Sequence, residues 1–390
     1  MVKPRPSHIS SLPLEVLEKI IEDINGLDDR QVLVDFSLSS KLFLRLCRAH
    51  LFRNVKLFLE PGPREAQGHP SSVQFIAFLA SDPDVASQIR SLHIVSSDSN
   101  HPHSSEGHRT AVIEHLFTIT SKLSHLCNLV IQFTFFTNWS MIDSRLKNVI
   151  NGLYSASTLR YLELNYLELT TTQLLSLLRI PEVTLIGVSS IEPVGSEEVL
   201  HHQGSQTTQS AVHNLKIVMR RPNMARFLAN IVRDSSKSLK RLEWLSSPYH
   251  EMEKTQLECI ILRDLPELLS ITICIPLDES GIGDLVTLFG SAKGGTNLCR
   301  LESIHVVCDY KRLPDRRSID DWNWRGVDSM LIDDIYESLR TMKVSVKRVI
   351  YPKHRQPSNE IYRNMLRELL DIFREKLFMT LNKGVRIEGA

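Results

Sequence analysis

A six-residue pattern, apolar-x-x-apolar-x-apolar, recurs through most of the chain and restricts its fold more than any other feature. It stands at residues 89–94, 126–131, 159–164, 180–185, 212–217, 239–244, 268–273, 301–306 and 346–351. By subtraction, successive starts lie 37, 33, 21, 32, 27, 29, 33 and 45 residues apart. A short strand with one apolar face cannot bury that face alone, so copies at steps of roughly 20 to 50 residues must bury one another. Sequence with helical spacing lies between copies, around 141–153, 174–178, 224–232 and 282–289. The fold class expected is therefore α/β, with strands and helices alternating. A doubly wound α/β domain would produce much of the same pattern and stays open as the alternative.

Within each copy, side chains alternate between the core and the opposite face, so the residue between the last two apolar positions points outward. Those residues are His93, Val130, Glu163, Thr184, Lys216, Glu243, Thr272, His305 and Ile350. The row is mixed and mostly polar. It suits a specific protein contact rather than a lipid or a deep apolar ligand. The target-contacting residues expected are Glu163, Lys216, Glu243, Thr272 and His305. Beside the row, the basic stretch from Lys311 to Arg317 adjoins Trp322, Trp324 and Arg325. Trp and Arg are enriched at binding hot spots, which makes this segment a candidate anchor. The plainer reading is a solvated charged loop with the tryptophans tucked onto a flank.

Forty-six Lys and Arg balance 45 Asp and Glu, for a formal net charge of +1. No overall field draws nucleic acid or anionic lipid, so neither is expected as a partner. A 42% apolar and 23% charged composition is that of a folded chain. No apolar run approaches the ~18 residues of a membrane span, and the first residues lack the apolar stretch of a signal peptide. Six scattered cysteines without a C-x-x-C pair read as reduced core thiols. The location expected is cytoplasmic, nuclear or both.

Chemistry-bearing motifs are weak. His101, His103 and His108 fall in a Ser-rich stretch without cysteines, and His201 and His202 in a polar one. Gly281 and Gly283 lack the third glycine of a dinucleotide fingerprint. No nucleophile elbow, Walker loop or zinc-protease helix is present. No metal, no cofactor and no enzymatic activity are expected.

The first sixty residues differ from the rest. Leu12, Pro13, Leu14, Glu15, Val16 and Leu17 open a helix, since proline fits a helix start and a carboxylate fits its positive end. Leu14, Leu17, Ile20, Ile21 and Ile24 form one stripe, which Asn25 and Gly26 end. Asp28 with Gln31 predicts a capping box for a second helix through Leu33, Phe36 and Leu38. Ser39 or Ser40 then caps a third helix, which carries Leu42, Phe43, Leu44, Leu46, Cys47, Leu51 and Phe52. Three short helices cannot bury that many apolar groups among themselves, so a partner surface is implied.

These residues resemble the F-box. Its pattern is met by Leu12-Pro13, Glu15-Val16-Leu17, Ile20-Ile21, then Phe36-Ser37-Leu38-Ser39-Ser40-Lys41-Leu42-Phe43, and finally Leu51-Phe52-Arg53-Asn54-Val55-Lys56-Leu57. Ser40 and Phe43 stand where the family often has Cys and Trp. The resemblance implies docking onto the Skp adaptor of a cullin-based ubiquitin ligase through Leu12, Pro13, Leu14, Val16, Leu17, Ile20, Ile21, Leu33, Phe36, Leu38, Leu42 and Phe43. The bland reading of the same segment is a helical cap for the domain that follows.

The recurring pattern is similar to the strand of a leucine-rich repeat, with two departures. Spacing is uneven, and Leu167 stands where the clearest copy would carry a buried Asn or Cys. The architecture expected is thus a three-helix F-box at 1–58, a linker at 59–75, and an irregular leucine-rich-repeat-like α/β solenoid with a C-terminal helical cap at 76–390. The resemblance implies a receptor holding the adaptor at one end and an unknown target protein at the other. Two rivals remain: a hydrolase-like α/β enzyme whose F-box match is accidental, and an F-box protein acting outside ubiquitin transfer.

Overall fold

The structure, a computed structural model, describes residues 12–26, 30–61, 71–96, 106–191, 210–220, 224–246, 257–294, 299–309, 319–346 and 359–389. By contact the chain divides into two compact units. The first comprises Met1–Phe135 with Met141–Arg160, and the second Phe136–Ser140 with Tyr161–Ala390. Both are mixed α/β, and every strand pairing described within either is parallel.

The first unit opens with helices α1 (Leu14–Gly26), α2 (Arg30–Ser39) and α3 (Lys41–Leu51). The turn is set at Pro13, whose carbonyl accepts from Val16 N and Leu17 N. Ser40 caps α3, accepting from Phe43 N at 3.2 Å; the cap expected at Asp28 lies outside the described residues. Strands β1 (Asn54–Phe58), β2 (Ser91–Ser96) and β3 (Asn128–Asn138) follow in register, with Val55 opposite Leu92 and Leu92 opposite Leu129. The end of the F-box-like segment is therefore a strand. Phe52, Val55 and Leu57 form one more copy of the apolar pattern ahead of the nine read from the sequence. Phe52 packs on Phe75 and Phe78 of the helix Ser72–Ser81. Within the expected linker 59–75, Leu59 and Glu60 are buried and residues 72–75 begin that helix. The Glu60 carboxylate is held by the Ser96 hydroxyl at 2.9 Å and faces Arg109 at 3.8 Å.

In the second unit the strands are β4 (Tyr161–Leu169), β5 (Glu182–Ile186), β6 (Ser189–Ser190), β7 (Asn214–Met219), β8 (Arg241–Ser246), β9 (Ser270–Pro276), β10 (Ser303–Asp309), β11 (Thr341–Val346) and β12 (Arg386–Gly389). Apart from β6, which pairs with β4, they pair in chain order. A doubly wound sheet reverses its strand order at a switch point; this run does not, and the doubly wound alternative is set aside. Two apolar rows cross the run in register and are buried throughout. One is Leu162, Val183, Leu215, Leu242, Ile271, Ile304, Met342 and Ile387; the other is Leu164, Leu185, Ile217, Trp244, Ile273, Val306 and Val344.

A repeated backbone clamp explains how this register survives uneven connectors. The His213 carbonyl accepts from both Lys240 N and Arg241 N, Lys240 from Leu269 and Ser270, Leu269 from Glu302 and Ser303, and Glu302 from Arg340 and Thr341. Each strand entry is thus fixed to its predecessor by two bonds near 3 Å, whatever the length of chain between them.

One strand stands elsewhere than expected. The copy read at 346–351 is displaced: β11 begins at Thr341, and Leu339, Met342 and Val344 fill the buried positions. Its start is 38 residues after Leu301 by subtraction, rather than 45. Lys343 takes the outward place given to Ile350, which lies outside the described residues. The run Val346, Val349, Tyr351 matched by composition, but pairing with β10 had already been claimed by the earlier match.

The C-terminal helices pack onto this edge. Helix Trp324–Leu331 carries buried Asp328, whose carboxylate accepts from Met379 N at 3.0 Å, Thr380 N at 2.8 Å and the Thr380 hydroxyl at 2.6 Å. These bonds satisfy the open donors at the start of helix Phe378–Asn382, which delivers the chain to β12.

Candidate functional site

The helices α1 to α3 sort the residues assigned to the adaptor into two groups. Leu17, Ile21, Leu33 and Phe43 are buried with Cys47, packed by half-buried Phe36, whose ring meets Phe43 edge-on at 5.5 Å. Sequence alone had placed these four on the contact surface; the structure buries them in the segment's own core. Leu12, Pro13, Leu14, Val16, Leu38 and Leu42 are exposed, Leu38 at 78% and Leu14 at 48%, and Ile20 is half-buried. Apolar side chains left outside on consecutive short helices form the kind of surface that marks a protein contact.

On the second unit the expected row is present in register, Glu163 opposite Thr184, then Lys216, Glu243, Thr272, His305 and, added by the corrected strand, Lys343 facing Glu388, although Thr184 is itself buried. Its members are tied to one another. Lys216 pairs with Glu243 at 3.0 Å. Glu163 accepts from the Tyr161 hydroxyl at 2.6 Å and from Asn165 Nδ2 at 2.9 Å. Burial, with that bond to Glu163 in second place, pushes the Tyr161 hydroxyl up to about 12. His305 Nε2 and the Ser345 hydroxyl form a hydrogen bond at 2.8 Å. Burial, then the neighbouring Lys343, holds its imidazole below the ordinary value, against a smaller upward pull from Glu243. In the first unit, Lys56, His93 and Val130 occupy the corresponding places. Lys56 and Lys343 were missed, although each sits in a legible apolar-x-x-apolar-x-apolar window.

Trp322 and Trp324 are corrected. Both are buried and stack on each other at 6.1 Å; Trp324 also meets Phe373 edge-on at 5.1 Å, and its ring N–H donates to Ile319 O. An apolar ring with its polar tip satisfied is more stable against the helix Asn359–Lys376 than in water, so neither tryptophan presents a face to a partner. Arg325 is exposed. The basic residues from Lys311 to Arg317 lie outside the described residues.

Gly281 has a packing reason rather than a phosphate-binding one. It sits in the first turn of the helix Glu279–Gly290, where a Cβ would meet the Pro276 carbonyl oxygen at 2.0 Å. Among the described residues no group of His, Cys, Asp and Glu is placed to hold a metal, and no helix is long and apolar enough to cross a membrane. His101, His103, His201 and His202 lie outside the described residues.

No protein-family model matches this chain, and no curated protein matches it.

Proposed function

We propose that this chain is the substrate-recognition subunit of a Skp/cullin-type ubiquitin ligase. Helices α1 to α3 hold the Skp-type adaptor, and the outward strand face of the second unit holds a target protein. The observation that carries this reading is the split within the helices. Leu17, Ile21, Leu33, Phe43 and Cys47 satisfy the segment's own core, yet Leu12, Leu14, Val16, Leu38 and Leu42 are left exposed on it. Exposed apolar groups on helices gain about 1.5 to 3 kcal/mol each when fully covered, enough for a few to sustain a stable complex. The adaptor is the one that the resemblance of residues 12–57 to the F-box implies.

Catalysis in this role is proximity: the chain positions a target near a ubiquitin-loaded conjugating enzyme held elsewhere in the ligase. No side chain here needs to ionise or attack. Co-expression with a Skp-type adaptor tests the first half, with co-elution expected for the full chain and loss of it on removing residues 1–58. Affinity capture with the proteasome inhibited tests the second half. Proteins gained only under inhibition are candidate targets; adaptor capture with no such gain would favour an F-box protein acting outside ubiquitin transfer.

A further inference from the structure

Two residues beyond the charged row, the outward face changes character. Ile186, Val218, Leu245 and Val307 stand there half-buried, with buried Cys274 between the last two. Ile186 faces Val218, Val218 faces Leu245, and Cys274 faces Val307; Trp244 opposite Ile273 sets Leu245 against Cys274. The band crosses five adjacent strands and is closed by polar side chains, Asn165 on β4 and Ser345 on β11. Strands lie about 4.8 Å apart, so the band is roughly 19 Å long.

That spacing selects among the chain conformations that could lie across it. Same-face side chains of an extended peptide recur every 6.6 Å or so, and fall out of step with the strands within two or three of them. An α-helix advances about 5.4 Å per turn, close to one strand spacing, so one apolar residue per turn meets one strand each along the whole band.

The charged row beside the band adds a sign. Most of its carboxylates are already engaged: Glu163 by Tyr161 and Asn165, Glu182 by Asn214 at 3.1 Å, Glu243 by Lys216, and Glu388 by Arg386 at 3.9 Å. Arg241 on β8 and Lys343 on β11 are exposed, and neither side chain has an ion pair or hydrogen bond among the described residues. Glu163 and Glu182 keep their negative charge, because only neutral groups hold them, so the face as a whole carries no net positive charge; the unpaired positive charge is local, at Arg241 and Lys343.

We infer that the outward face of the second unit receives an amphipathic helix of the target protein, laid across β5, β7, β8, β9 and β10. It has one apolar residue per turn on the band and acidic residues on the flank toward Arg241 and Lys343. This inference rests on the receptor reading above and sharpens it from any protein to a helical, acidic-flanked segment.

The test is selection from a displayed library of peptides about 20 residues long, ~30 Å as helices, against the full chain bound to its adaptor. Enriched peptides are expected to show apolar residues at three- and four-residue steps with Asp or Glu on one flank. Leu245→Glu and the double change Arg241→Glu with Lys343→Glu are each expected to weaken them about tenfold or more. Thermal unfolding of both variants checks that the unit is folded; the second changes only exposed side chains and secures the result should the first unfold. Enriched peptides without helical periodicity, binding indifferent to both variants, or no enrichment overturns the inference. The receptor reading fails separately: a protein captured from cells whose binding depends on Leu245 while the selected peptides are not helical leaves the receptor and removes the helix. Loss of adaptor capture removes the receptor whatever the peptides show.

Discussion

The helical segment α1 to α3 and the strand run β4 to β12 use the same apolar residue types to opposite ends. In the strands, register places Leu, Ile and Val of each copy against those of the next, and the two central rows are buried without exception. What the run turns outward is mainly polar, with one apolar band. In the helices, a stripe of Leu17, Ile21, Leu33 and Phe43 closes a small core, and Leu12, Leu14, Val16, Leu38 and Leu42 have nothing to close on. Burial in a repeating strand array is supplied by the next copy of the same chain. A three-helix segment of this size has no further copy to supply it, and part of its apolar surface stays exposed.

The comparison breaks most sharply at Trp244, the largest fully buried side chain of the strand rows. Trp244→Ala is expected to cost the second unit about 3–5 kcal/mol in denaturant unfolding through the cavity left behind, with adaptor capture unchanged. Equal loss of adaptor binding would mean that the two regions do not keep separate accounts of stability.

Next in size is the pin at the end of the strand run. Asp328→Ala leaves the buried Thr380 N–H and hydroxyl and the half-buried Met379 N–H without an acceptor, and a loss of about 2–3 kcal/mol is expected. Hydrogen exchange at β12 should rise before that at β7 or β8; uniform exchange across the run would show that this edge has no separate role.

The exposed helical leucines should behave in the reverse way. Leu14→Asp combined with Leu38→Asp is expected to leave the thermal transition of the chain within about 0.5 kcal/mol, since neither side chain fills the core. Adaptor affinity should fall by more than ~2 kcal/mol, because the contact would then bury unpaired charge. Leu17→Asp, at a buried position, should instead unfold the helices. A stability loss from the exposed pair matching that from Leu17 would support the plain reading of these helices as a cap.

The smallest effect concerns His305. Its folded affinity for protons lies below the ordinary value of 6.5, so the unfolded chain protonates first on acidification. The stabilising difference is complete above that value and is lost as pH falls from it toward the lowered folded value. The thermal midpoint should therefore drop more between about pH 7.5 and pH 5.5 in the wild type than in His305→Gln. An equal drop would assign the acid sensitivity elsewhere.

Period-two alternation and the position of Leu-Pro before an Ile-rich stripe were enough to read eight of the strands, most of the outward row and the three helices from sequence, but not β1, β6 or β12. Both are local, and a strand's inward residues follow from parity once one of them is known. Three things needed the tertiary structure. Whether residues 339–344 or 346–351 formed the late strand was decided by which of two apolar windows paired with β10, a contact between distant parts of the chain. Whether Trp322 and Trp324 faced solvent was decided by Phe373 on a helix some fifty residues later. Which apolar residues of the helical segment stayed exposed was decided by how α1, α2 and α3 pack, since a helical stripe names the apolar residues but not which of them a neighbour will cover. Sequence sets which side chains share a face, and packing sets which faces meet.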